Sequence, residues 1–136
     1  MIVKMKLSFV RNALLAGLLT LPLLAGAATV EGKMNGISCA VAGVFCPIDK
    51  ADPLVALESD FVLQQPDGSF YIIPNVDRAV KARVVLEDVQ VSGDVNDQYK
   101  SITADQIQVR RDGEWKTVWS QEMQEDLRQQ LFKGSK

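Results

Sequence analysis

The amino terminus of this chain has the anatomy of an export signal, and that limits what can fold after it. Lys4, Lys6 and Arg11 form a positively charged start. An apolar run from Ala13 to Leu24 follows, and the small residues Ala25-Gly26-Ala27 come directly after it. A charged start, a short apolar run and a small-x-small motif are together typical of a secretory signal peptide and its cleavage site.

The signal divides the chain into a leader and one domain. We expect a secretory signal peptide over residues 1–27 and a single domain over residues 28–136, which is long enough for one hydrophobic core but not for two. The domain would work in the periplasm, free of the membrane once the signal is cleaved. An uncleaved anchor is the alternative, although the apolar run is shorter than the roughly 20 residues that a spanning helix needs.

Charge and the absence of histidine exclude several classes of function. Three of the 15 basic residues lie in the leader, whereas all 17 acidic residues follow it, so the exported domain is acidic. Nucleic-acid binders usually present a basic face, which disfavours them here. With no histidine in the chain, Ser-His-Asp and Cys-His hydrolases and c-type haem attachment are excluded. We expect a non-enzymatic protein without a cofactor.

Alternation of apolar and polar residues predicts β-strands in the first half of the domain. Val30–Gly36 alternates with period two, with Met34 on the apolar side and Asn35 on the polar side. The same period over residues 55–63 and 70–73 predicts a second and a third strand, joined by a Pro-Asp-Gly turn. The segment between the first two predicted strands is expected to be a structured loop.

A short helix is predicted between the third and fourth strands. Residues 77–83 form it, with Asp77 as its N-cap. Val85–Val95 follows as the fourth strand, and the fifth strand changes parity between Ala104 and Ile107, which predicts a β-bulge. The residues expected to point inward from the fourth strand are Val89, Val91, Gly93 and Val95.

The end of the chain predicts a hairpin and a helix. Asp112-Gly113 is a hairpin turn signal, after which Trp115–Trp119 would pair back on the fifth strand. Ser120 can cap a final helix, and Gly134 can end it. The apolar face of this helix repeats every four residues at Met123, Leu127 and Leu131.

Three strands, a short helix and two further strands follow the element order of an OB barrel. We therefore expect an all-β fold, a small five-stranded OB-like barrel with a short helix between strands 3 and 4 and a C-terminal helix. The leader, residues 55–73, Val89–Val95 and Ile107–Val109 resemble the bacterial periplasmic OB-fold (BOF-type) small exported proteins. The resemblance implies an exported OB-fold domain, but the cysteine segment and the tail from Trp115 depart from the family pattern.

The two cysteines are the sharpest candidate for chemistry. Cys39 and Cys46 lie in the exported part, where an even count predicts a disulfide. Closing so short a loop would add roughly 2–3 kcal/mol to the free energy of unfolding. A redox pair is one alternative, and a Cu(I) site that adds the thioether of Met34 is another. Met34 has the apolar parity of its strand, which favours core packing.

Four carboxylates follow the cysteines and form an acidic cluster. Glu58 and Asp60 share the polar parity of the second predicted strand, so we expect them on its solvent face. Acid–base chemistry or Ca²⁺ binding is the alternative for such a group, but no calcium-loop spacing is present. The members of the cluster are Asp49, Asp52, Glu58 and Asp60.

Two tyrosines are candidates for ligand binding. The pattern leaves Tyr71 on the polar side of the third strand and Tyr99 in a polar loop, where either ring could stack on a sugar or a base. Packing of the aromatic residues against the core is the alternative. Arg78, Lys81 and Arg83 lie within one short helix and are expected on its surface, with an anion contact as the alternative.

These observations predict an exported periplasmic OB-fold binding or interaction module, non-enzymatic and stapled by one disulfide. Its ligand would be an unknown protein, a cation or a glycan, with nucleic acid disfavoured. The alternative is a copper or thiol-redox accessory protein that acts through Cys39 and Cys46.

Overall fold

Six strands and four α-helices form the part of the chain that the computed structural model describes, residues 27–133. The leader before Ala27 and the helix stop predicted at Gly134 lie outside this part. Within it, we find no helix long and apolar enough to cross a membrane. The elements are β1 (Ala28–Gly36), α1 (Ile37–Val41), a 3₁₀ turn (Ile48–Lys50), α2 (Ala51–Leu57), β2 (Phe61–Gln64), β3 (Phe70–Ile72), α3 (Arg78–Ala82), β4 (Asp88–Asn96), β5 (Ser101–Arg111), β6 (Glu114–Ser120) and α4 (Gln121–Phe132).

The strands form one sheet that curls back on itself. Its order is β3-β2-β1-β4-β5-β6, and all of these neighbours are antiparallel. β3 also pairs in parallel with β5, where Ile72 faces Ser101 and its N–H donates to the Lys100 carbonyl at 2.9 Å. Five strands therefore make a ring, and β6 adds to its outside along β5. The prediction of a mostly β protein with a C-terminal helix is confirmed.

The core fills the inside of the ring. Its residues are the alternate apolar positions of the strands, which lie on the inner face of the sheet. In β4, Val89, Val91 and Gly93 are buried, as predicted, whereas Val95 is half-buried. The predicted change of parity in β5 is also confirmed, because the β4–β5 register shifts between Ser92 and Gly93. The fully buried side chains of the hydrophobic core are Met34, Phe61, Leu63, Ile73, Val89, Val91, Ile102, Ala104, Ile107 and Val109.

The predicted caps and turns are confirmed by their hydrogen bonds and dihedral angles. Asp77 Oδ1 accepts from the Ala79 N–H at 2.7 Å and begins α3, and Ser120 Oγ accepts from the Met123 N–H at 3.2 Å and begins α4. Asp112 and Gly113 both have positive φ, 55° and 80°, which matches the right-handed twist of the β5–β6 hairpin.

The prediction of a strand over residues 55–63 is wrong in its first half. Residues 51–57 form α2, and β2 begins only at Phe61. Pro53 lies in the first turn of α2, where a backbone N–H would have no partner within the helix, so its absence costs nothing. Asp52 lies in the same turn, where its negative charge interacts favourably with the positive end of the helix dipole. β2 is buried at all four positions, so its sequence lacks the alternation of a half-exposed strand.

Two further boundaries differ from the prediction. The expected loop after β1 contains α1, the 3₁₀ turn and the start of α2. β4 begins at Asp88 instead of Val85, because Leu86 has a φ of 64° and its N–H donates to the Met34 carbonyl at 2.7 Å. This bond turns the chain into β4 beside the C-terminal half of β1.

Candidate functional site

Both cysteines lie in the β1–β2 connection, residues 37–60. α1 starts directly at the end of β1 and carries Cys39, and the loop that follows brings Cys46 back to it. The two sulfurs are 2.6 Å apart, so the pair is adjacent, although not at disulfide distance. Cys46 is buried, whereas Cys39 is half-buried and faces the surface in part.

A buried amide holds the cysteine loop against β1 and β2. Asn35 is fully buried, although its parity in β1 predicted a polar, solvent side. Its Nδ2 donates to the Val44 carbonyl at 2.8 Å and to Gln64 Oε1 at 2.6 Å. Its Oδ1 accepts from the Cys46 N–H at 3.0 Å. Asn35 therefore fixes the backbone on which one of the two thiols sits.

Glu58 lies beside the thiols, and its predicted place on the solvent face is wrong. Its side chain is 5% exposed, and Oε2 accepts from the Ser38 N–H at 3.0 Å. Gly36 leaves the room it needs, because a Cβ there would overlap the carboxylate. The reason is that residues 51–58 are a helix and its end, so strand parity does not apply to Glu58. Asp49 and Asp52, two other members of the acidic cluster, are exposed.

Cys39, Cys46 and Glu58 form a cluster of three groups that can hold a metal ion. One sulfur from each cysteine and one carboxylate oxygen lie within 4.8 Å of one another. We call these three residues the cysteine cluster. Met34, the thioether ligand of the alternative Cu(I) site, is fully buried in the core of the ring.

The surroundings keep Cys39 protonated. Burial, the hydrogen bond with Cys46 and the negative charges of Cys46 and Glu58 together raise the pKa of Cys39 from 9.0 to about 12. Since the thiolate is the reactive and metal-binding form, reaction at Cys39 needs a group that takes up its proton. The cluster resembles neither an activated nucleophile nor a low-pKa redox pair.

Two basic residues of α3 anchor the far end of the β1–β2 connection. Arg78 donates from Nε to the Glu58 carbonyl at 2.9 Å and from Nη2 to the Val55 carbonyl at 2.6 Å. Lys81 is buried and pairs with Asp60 Oδ1 at 2.6 Å. The expectation that Lys81 lies on the helix surface is wrong, and Asp60 is half-buried against it. Arg83 is exposed as predicted.

Large apolar side chains are exposed along the same connection. They come from α1, the cysteine loop, the 3₁₀ turn and the end of α2, and their exposed fractions run from 44% to 85%. Several exposed apolar side chains on one segment mark an interaction surface more often than single exposed ones do. We call this set the apolar rim: Val41, Val44, Phe45, Ile48 and Leu57.

The two candidate tyrosines have different positions. Tyr99 is 69% exposed in the β4–β5 turn, as predicted. Tyr71 is 7% exposed and packs in the core, so the prediction that it lies on the polar side is wrong. β3 is only three residues long and pairs Tyr71 with the inward Leu63, which reverses the parity expected for it.

The Tyr71 hydroxyl still supports the β4–β5 turn. It donates to Asp97 Oδ1 at 2.7 Å, and Lys100 Nζ lies 3.4 Å from the same oxygen and 5.2 Å from the centre of the Tyr71 ring. The hydrogen bond with Asp97 raises the pKa of Tyr71 and lowers the pKa of Asp97. These contacts order the turn that presents Tyr99.

Comparison of the chain with protein-family models, with curated proteins and with solved structures gave no match. The fold and the arrangement of side chains are therefore the basis for function.

Proposed function

We propose that this chain is an exported periplasmic binding or interaction module, non-enzymatic, built on an OB-like barrel of the kind seen in the BOF-type proteins. The leader supports export. The closed order β1-β2-β3-β5-β4 supports the OB assignment, because a five-stranded Greek-key barrel pairs its strands in this way. The absence of histidine supports a binding role over hydrolysis.

The observation that carries this proposal is the position of the apolar rim. OB barrels bind their ligands on the face of strands 2 and 3 and with the loops that join strands 1 to 2 and 4 to 5. In this chain the β1–β2 connection carries the apolar rim, and the β4–β5 turn carries exposed Tyr99. Both segments are held by buried or partly buried polar contacts, from Asn35 to the first and from Tyr71 to the second.

The occupant that fits this surface is a partner protein with an apolar centre and a basic edge. Asp49 and Asp52 are exposed between Ile48 and Leu57, with exposed Lys50 between them, so the border of the apolar rim carries a net negative charge. Opposite charge at the edge of an interface speeds association, and apolar contact at its centre supplies affinity. A glycan on Tyr99 or a free cation would be the main ligand only if the apolar rim is dispensable.

In this proposal a disulfide between the two cysteines stabilises the binding surface. Cys39 and Cys46 would form the disulfide in an oxidising compartment and fix the loop that carries Val44 and Phe45. A loop held in its bound conformation loses less entropy when the partner binds.

The experiment is affinity capture with matched pairs of surface variants. Ile48→Ser with Leu57→Ser removes two apolar side chains from the rim, and Leu127→Ser with Leu131→Ser removes two from α4 that are also exposed. Partners that wild type enriches from periplasmic extract should be lost with the first pair and kept with the second. Retention of the same partners by the first pair would refute the proposed surface.

The alternative function is a copper or thiol-redox accessory protein that acts through Cys39 and Cys46. The adjacency of the two sulfurs favours it. It predicts that Cys39→Ser abolishes function while Ile48→Ser with Leu57→Ser leaves function intact, which is the opposite of the outcome expected for the binding module.

A further inference from the structure

The buried carboxylate of Glu58 has no role in a simple structural disulfide. The Glu58 carboxylate is held by the Ser38 N–H and by a hydrogen bond with the Cys39 thiol. Oxidation of Cys39 removes the second bond, which leaves one backbone N–H to offset part of the cost of burying the charge. An apolar side chain would pack against a disulfide without this cost. A carboxylate oxygen within 4.8 Å of both sulfurs points to a positively charged occupant between the three groups.

We propose that the cysteine cluster, in its reduced form, binds one Zn²⁺ ion through Cys39, Cys46 and Glu58. Two thiolates and a carboxylate are among the ligands that zinc prefers, and water can supply the fourth position of a tetrahedral site. With Zn–S bonds of about 2.3 Å, tetrahedral geometry sets the two sulfurs roughly 3.8 Å apart. Metal binding would therefore move the two adjacent sulfurs apart, by rotation of the half-buried Cys39 side chain.

The donor set favours zinc over copper. Cu(I) is soft and prefers sulfur ligands alone, whereas Zn²⁺ accepts sulfur and oxygen together. The thioether of Met34 would complete a sulfur-only site, but it is fully buried in the core with the β4 and β5 side chains. The ligand that the fold does bring to the two thiols is a carboxylate.

Neighbouring groups hold the ligands in place. Asn35 Oδ1 fixes the Cys46 backbone, the Ser38 N–H fixes Glu58 Oε2, and Gly36 provides the space that the carboxylate occupies. Such supporting contacts are typical of built metal sites. Disulfide formation removes both thiolates, so zinc binding and oxidation of the pair exclude each other. This inference is independent of the partner surface, because it needs no partner.

The test is metal titration of the reduced exported protein under anaerobic conditions. Cd²⁺ replaces Zn²⁺ as a spectroscopic probe, since cadmium–thiolate bonds absorb in the ultraviolet, and competition between Zn²⁺ and a chromophoric chelator gives the Kd. We expect one equivalent of metal per chain and no binding by the oxidised protein. Glu58→Gln should weaken Zn²⁺ binding at least tenfold, whereas Asp52→Asn, an exposed acid of the same connection, should leave the Kd unchanged.

Cys39→Ser keeps the test decisive if Glu58→Gln does not fold. Serine is close in shape to cysteine and position 39 is half-buried, so the variant should fold with an unchanged circular dichroism spectrum. It should show weaker cadmium absorption and a lower Zn²⁺ affinity than wild type. Equal Zn²⁺ affinity in wild type and Glu58→Gln would overturn the proposal. So would tight Cu(I) binding that outcompetes Zn²⁺ and does not depend on Glu58.

Discussion

At the scale of single residues, the site depends on polar side chains that the fold buries. Asn35 and Glu58 were both assigned to solvent by their parity, yet each is buried and hydrogen-bonded to the cysteine segment. Period-two alternation identifies which side of a strand is apolar, but it cannot show that another segment covers the polar side. The β1–β2 connection does so here, and its path is set by contacts distant in sequence, such as Arg78 with the Val55 carbonyl.

Replacing Asn35 by leucine should destabilise the protein strongly. The substitution leaves the Cys46 N–H, the Val44 carbonyl and the Gln64 amide without the partners that Asn35 supplies. Each buried polar group left unpaired costs about 1–3 kcal/mol, so we expect a loss of at least about 2 kcal/mol in urea unfolding. Thr29→Val, which removes an exposed hydrogen bond to Ser92, is the control and should change stability little.

The raised pKa of Cys39 predicts a loss of stability at alkaline pH in the reduced protein. The folded state keeps the thiol proton up to a pKa of about 12, whereas the unfolded chain releases it near the ordinary value of 9.0. The unfolded state then binds fewer protons, so the contribution of Cys39 is present below the lower pKa and is lost as pH rises towards the higher one.

Unfolding of the reduced protein between about pH 8 and about pH 11 measures this effect. Cys39→Ser should show a shallower decline than wild type, because the other groups that titrate in this range are common to both proteins. Identical pH dependence of the two proteins would contradict the assigned surroundings of Cys39.

At the scale of elements, local sequence signals predicted most of the sheet and missed one connection. β1, the β5 bulge, the β5–β6 turn and the caps at Asp77 and Ser120 follow from alternation and turn chemistry that act within a few residues. The second strand was misplaced because Val55 and Leu57 imitate strand alternation, although Pro53 marks a helical first turn. That proline was the signal that could have identified α2, and with it the inward position of Glu58.

A substitution in β4 tests directly which of its side chains point into the core. Val91 is fully buried, so Val91→Asp puts an unpaired charge in the core and should cost several kcal/mol, enough to unfold much of the protein at room temperature. Asp94→Ser changes an exposed position of the same strand and should leave the melting temperature within a few degrees of wild type. A melting temperature of Val91→Asp equal to that of the control would mean that β4 faces the other way.

At the scale of the whole molecule, the ring of five strands supports a surface more than it encloses a pocket. The core is filled by side chains, and apart from Ile72 and Tyr99 the large exposed apolar side chains of the described residues lie on the β1–β2 connection and on α4. Sequence alone predicted the mostly β fold, because periodicity is local. It could not predict the proposed binding surface, since the exposure of Phe45 or Ile48 depends on how α1 and α2 pack. The burial of Tyr71 likewise depends on its pairing with Leu63.

Export and oxidation can be checked together on the intact protein. We expect the mass of the chain that begins at Ala28, because the small residues at positions 25–27 predict cleavage after them. The disulfide between Cys39 and Cys46 should lower this mass by about 2 Da, because two hydrogen atoms are lost when it forms. Alkylation without reductant should label neither cysteine. A full-length mass in the membrane fraction would contradict cleavage, and free labelling of both thiols would contradict the staple.

The central claim, that the apolar rim is the binding surface, is tested most directly by site-specific photo-cross-linking in living cells. A cross-linking side chain at Ile48 should capture one discrete partner in the periplasm, and the same side chain at Leu131, which is also exposed on α4, should not capture that partner. Capture of the same partner from Leu131 but not from Ile48, or no discrete product at Ile48, would contradict the account.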